Sequence, residues 1–140
     1  MRIMAVDYGD SRTGLAICDM SETLASPYSV IHEKNTDMLI KKIAAEAVEN
    51  EIAEIIVGNP VNMNGTRGAS SEKCVKFADK LTKSVRVPVL MWDERSTTVL
   101  ANTLLNEADK RGKKRKSIVD AAAAAVILEG YLSYRKNKVR

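Results

Sequence analysis

A chain of 140 residues with 45% hydrophobic content can bury one substantial core, so a single domain over residues 1–140 is expected. One histidine, and two cysteines outside any C-x-x-C spacing, exclude a zinc site and a disulfide framework; both cysteines read as small buried residues. No apolar run approaches a membrane span and no basic-then-apolar leader opens the chain, so a cytoplasmic protein without membrane contact is expected; the net charge of +4 is concentrated at residues 110–116 and 135–140.

Ile3, Met4, Ala5 and Val6 form an unbroken apolar run, as in a strand buried on both faces, and the run stops at Asp7. Gly9 and Gly14 bracket a polar turn before apolar residues return, which predicts a hairpin with Asp7 near its mouth. An aspartate that merely starts a turn is the plain structural alternative. Residues 25–31 predict a third strand, its proline suiting a strand start or an edge. Leu39, Ile40, Ile43, Ala44, Ala47 and Val48 then recur at helical spacing over residues 36–50. A buried strand follows at residues 52–57, reached by a crossover, and it ends in Gly58-Asn59-Pro60.

The loop of residues 58–68 leads into a helix over residues 69–83. Free amides at a helix start beside glycines can receive an anion, and Asn64 and Arg67 are candidate contacts to nucleic acid there, with Arg67 pointing into solvent as the plain alternative. Neither a P-loop nor a dinucleotide fingerprint is present. A third buried run, residues 87–92, ends in Asp93-Glu94-Arg95, and Ser96 or Thr97 can cap the next helix, which carries Val99, Leu100, Leu104 and Leu105. Ser117-Ile118-Val119-Asp120 has the form of a capping box opening the last helix. Residues 121–125 are all alanine, and such small side chains let a helix lie close to a sheet, bringing Asp120 toward the strand exits.

Three elements thus offer carboxylates that could converge: Asp7, Asp93 or Glu94, and Asp120. Carboxylates at close range need cations, and hard oxygen ligands without histidine or thiolate suit Mg²⁺ or Mn²⁺. Such ions support phosphodiester hydrolysis. The cations Lys113, Lys114, Arg115 and Lys116 could meet the phosphates of the substrate, or form a solvated loop.

Asp7-Tyr8-Gly9 through Arg12-Thr13-Gly14, Gly58-Asn59-Pro60 through Asn64-Gly65, Asp93-Glu94-Arg95 with Ser96-Thr97-Thr98, and Asp120-Ala121-Ala122-Ala123 resemble the successive motifs of the YqgF family, also called RuvX. The match runs to about Leu132. The resemblance implies an RNase H-like α/β fold, a mixed five-stranded sheet of order 3-2-1-4-5 with helices on both faces. It also implies a metal-dependent endonuclease that processes the 5′ end of precursor 16S rRNA, or a resolvase of four-way DNA junctions. Asp7, Glu94 or Asp93, and Asp120 become the expected metal-binding catalytic acids, with Arg12, Asn64, Arg67, Arg95 and the basic run as nucleic-acid contacts. Unlike the wider RNase H pattern, the strand beside the first ends in Gly58-Asn59-Pro60 and carries no acid. Two strand spacings amount to about 10 Å, which favours the longer Glu94 over Asp93. Two other classes stand beside it: an ATPase of the actin and sugar-kinase type, which needs two such domains, and a binding module without catalysis.

Overall fold

The computed structural model describes residues 1–59, 69–93 and 113–138, with side chains at 1–59, 72–92 and 121–136. Five strands, β1 (Ile3–Asp7), β2 (Arg12–Cys18), β3 (Ala25–His32), β4 (Glu54–Asn59) and β5 (Val89–Asp93), form one sheet in the order β3-β2-β1-β4-β5. The β1-β2 and β2-β3 pairs are antiparallel, whereas β4 runs parallel to β1 and β5 parallel to β4. The exits of β1, β4 and β5 therefore open on one edge of the sheet, as the expected RNase H-like architecture requires.

Helices α1 (Thr36–Glu49) and α2 (Ala69–Ser84) cover one face, and α3 (Lys113–Lys138) covers the other. The side-chain period of two explains why β1 reads as a continuous apolar run. Met4 and Val6 join Leu39, Ile43, Phe77 and Leu81 in one core, while Ile3 and Ala5 join Ala124, Ile127 and Leu128 in the other. At the start of α1, the Asn35 side chain accepts the Met38 amide at 3.0 Å, satisfying one of the unpaired amides of the first turn. Both cysteines are buried and free. No helix among the described residues is long and apolar enough to cross a membrane.

Three element starts differ from the sequence-based expectations. β4 begins at Glu54 rather than Ile52, because the Ile52 amide donates to the Ala47 carbonyl at 2.9 Å and closes the C-terminal turn of α1, with Glu51 at φ 55°. β5 begins at Val89, after Pro88, which has no amide to donate. α3 begins at Lys113, so Ser117 lies inside the helix and the capping box proposed there is not one. Lysine and arginine are good helix formers, and the basic run extends the helix instead of forming a loop. The predicted helix carrying Val99 to Leu105 lies outside the described residues.

The direction of α3 follows from its anchors. Tyr131 donates its hydroxyl to Glu54, the first residue of β4, and Arg135 Nε donates to Glu22 at 2.8 Å. Glu22 also meets the N-terminal ammonium group at 3.2 Å. The C-terminal half of α3 is thus held where β1 and β4 begin, and its N-terminal half extends toward the edge where they end.

Candidate active site

Asp7 is the last residue of β1 and, by alternation, shares the α3 face with Ile3 and Ala5. Its partner on β2 is Gly14, and the Val6 to Val57 register places Gly58 beside it on β4. Gly58 is paired in turn with Trp92 of β5. In the row Gly14, Asp7, Gly58, Trp92 the strand neighbours of Asp7 on both sides are thus glycines, with Trp92 next on the β5 side. This is the site-level meaning of two glycines that the sequence presents only as turn and strand-end residues.

The backbone carrying Asp7 is held from the opposite face. Tyr8 stacks on buried Phe77 of α2, with ring centroids 4.4 Å apart and planes 13° from parallel. Thr13 is fully buried, and its hydroxyl accepts the Gly9 amide and donates to the Gly9 carbonyl, both at 3.4 Å. A Cβ on Gly9 would run into the carbonyl oxygen of Arg12, so the turn after Asp7 is closed to any other residue. At the tip, exposed Asp10 pairs with Lys73 of α2 at 3.4 Å, a weak surface contact.

Two further expected acids belong to described elements. Asp93 is the last residue of β5, paired with Asn59, and Glu94 lies outside the described residues. Asp120 is in α3, eleven residues before Tyr131, which at 1.5 Å per residue is about 16 Å along the helix. Asp7 lies four residues beyond Ile3, the partner of Glu54, or about 13 Å along the strand. Both positions lie on the strand-exit side of that anchor, and position 120 continues the helical stripe of Ala124, Ile127 and Tyr131 that packs on the sheet.

Among the described side chains, no three of His, Cys, Asp or Glu are close enough to hold a metal ion; Asp7 is the one expected ligand whose side chain is described. Arg12 opens β2, half-buried and paired with His32 of β3. Lys113, Lys114, Arg115 and Lys116 form the first turn of α3, at the end of the helix that extends toward the strand exits. Asn64, Arg67 and Arg95 lie outside the described residues.

Sequence reasoning missed the anchor at the other end of the sheet. Burial, and then the Glu54 carboxylate that accepts its proton, push the Tyr131 phenol above its usual value. Burial opposes ionisation of Glu22, yet the Arg135 and N-terminal bonds outweigh it and hold that carboxyl below its usual value. The signal was present as a single acid, Glu54, inside an otherwise apolar run.

The family described as RuvX, Holliday junction resolvase, matches residues 1–134. Over 135 residues the chain is 46% identical to a protein of Halothermothrix orenii named "Putative pre-16S rRNA nuclease", covering 96% of each. A protein of the same name from Thermoanaerobacter pseudethanolicus is 41% identical over 139 residues, covering 99% of this chain and 100% of the relative. In structure, Thermus thermophilus RuvC in complex with a Holliday junction superposes with a TM-score of 0.57 at 14% identity, covering 97% of this chain and 96% of RuvC. The Fowlpox virus resolvase with its junction DNA gives 0.57 at 12% identity, covering 96% of this chain and 99% of the resolvase. At such low identity these two likenesses establish the fold alone. The sequence matches extend over almost the whole chain, and on them this protein belongs to the RuvX family.

Proposed function

We propose that this protein is a divalent-metal-dependent endonuclease that hydrolyses phosphodiester bonds in structured RNA, with the 5′ end of precursor 16S rRNA as the substrate class. The observation that carries the reading is the placement of Asp7 at the exit of the central strand, between Gly14 and Gly58, on the sheet face that α3 covers. The residues present fit Mg²⁺ or Mn²⁺. The donors offered at this edge are carboxylates, Cys18 is bonded at the opposite end to the Ile3 amide and the Met1 carbonyl, and His32 lies on the outer strand β3. Asp7, Glu94 and Asp120 would hold the ions. β5 turns Trp92 to the α3 face, so alternation assigns position 93 to the other face and favours Glu94 over Asp93.

When bound, the ions supply an activated water and charge stabilisation for the leaving oxygen. The chain's own part is orientation. Thr13 and the Tyr8–Phe77 stack fix the backbone of Asp7, and the flanking glycines put no side chain of β2 or β4 beside it in the strand row. Lys113, Lys114, Arg115 and Lys116, with Arg12, Asn64, Arg67 and Arg95, would hold the substrate backbone.

The family description favours a second reading, resolution of four-way DNA junctions by the same site. A cleavage panel decides between them: precursor 16S rRNA, a DNA four-way junction and single strands of each, with and without Mn²⁺. Cleavage of the rRNA precursor is expected; preference for the junction would establish the second reading. No cleavage of any substrate would reduce the protein to a binding module.

A further inference from the structure

The α3 side of β5 carries an aromatic cluster that the hydrolytic reading leaves unused. Three of the chain's six aromatic residues gather there. The Trp92 indole meets buried Tyr131 edge-on at 5.4 Å and Tyr134 at 5.3 Å, with planes 75° and 53° apart. Neither is a parallel stack, so among the described residues no aromatic ring lies flat on the indole. Trp92 is half-buried, while Leu90 on the same strand face and Tyr134 are 43% and 47% exposed. Tyr131 is itself pinned by its bond to Glu54 and by the Arg135 guanidinium 5.8 Å from its ring centroid, so the platform under Trp92 is rigid.

We propose that Trp92 is the wall of a base-stacking subsite for an unpaired nucleotide next to the scissile phosphate. The proposal rests on the reading that the Asp7 edge cleaves nucleic acid. The backbone of Trp92 stands in the same row as that of Asp7 with only Gly58 between, about two strand spacings or 10 Å away. That gap suits a phosphate at the carboxylate and its base against the indole. A duplex keeps its bases in their own stack, so the subsite selects flexible or single-stranded segments. The place of Trp92 in the row of Asp7 favours the substrate's own nucleotide as the occupant over another protein.

Trp92 is the only tryptophan, so its emission reports on this position alone. The wild-type protein in EDTA is titrated with an unpaired octauridylate and with a blunt RNA duplex. Saturable quenching by the single strand and none by the duplex is expected. Trp92→Leu should weaken binding of a labelled octauridylate, read by anisotropy, about tenfold, and Trp92→Phe should recover part of it. Circular dichroism confirms that both variants fold. Unchanged emission together with full affinity in Trp92→Leu would overturn the proposal. Quenching that rises with protein concentration alone, with a dimer in sedimentation, would overturn it in favour of contact between copies. Because EDTA removes hydrolysis from the readout, quenching by a protein that cleaves nothing would refute the nuclease reading and leave the subsite standing.

Discussion

The bond between Tyr131 and Glu54 ties the helix that carries Asp120 to the first residue of β4, and Tyr131→Phe tests that tie cleanly. The substitution keeps the ring and its contacts with Trp92 and Tyr134 and deletes only the hydroxyl. Glu54 is 8% exposed, and its remaining partner, Arg135 Nη1, stands 3.8 Å away, beyond hydrogen-bond reach. Removing a hydrogen bond to a buried charged acceptor costs about 1.5–3 kcal/mol. Unfolding entropy of about 2.1 cal/mol/K per residue gives about 0.3 kcal/mol/K for 140 residues, so Tm should fall by about 5–10 °C. Differential scanning calorimetry at neutral pH reads the shift. In a Glu54→Leu background the acceptor is gone, and the same deletion should cost nothing or stabilise, since the hydroxyl is then a buried donor without a partner. An equal loss in both backgrounds would show that the hydroxyl acts elsewhere and that Glu54 does not anchor α3.

Because the Tyr131 phenol titrates higher when folded than its ordinary 10.0, the unfolded chain loses that proton first as pH rises. Stability should therefore be complete below about pH 10 and decline above it, and Tyr131→Phe should flatten part of that decline in chemical denaturation series. Asp7→Asn keeps the shape and removes the charge. Metal-dependent cleavage should largely disappear while binding measured without metal holds or improves, and retained wild-type cleavage would eliminate Asp7 as a ligand. Replacing Lys113, Lys114, Arg115 and Lys116 with alanine should weaken nucleic-acid binding and flatten its salt dependence, with little change in far-ultraviolet circular dichroism; an unchanged slope would return these residues to solvent. Gly9→Ala should lower both Tm and cleavage, because the added methyl meets the Arg12 carbonyl; wild-type values in both would remove the argument for a closed turn.

The order of elements, the burial of β1 on both faces and the position of Asp7 at its exit were legible in the sequence. Apolar runs, helical periodicity and turn glycines are local signals, and each survives in the folded chain. Four ordered motifs also sufficed to point to the family. Boundaries governed by a neighbour were not legible. Ile52 looks like strand and instead closes the end of α1, and Ser117 looks like a cap and lies inside α3. What tertiary structure alone decided is the set of contacts between elements distant in sequence. Gly14, Asp7, Gly58 and Trp92 become one row only through strand register, Tyr8 finds Phe77 only when α2 docks, and Glu54 meets Tyr131 seventy-seven residues later. Side-chain alternation makes each strand's facing depend on its register with the next, and no single stretch of sequence contains that information.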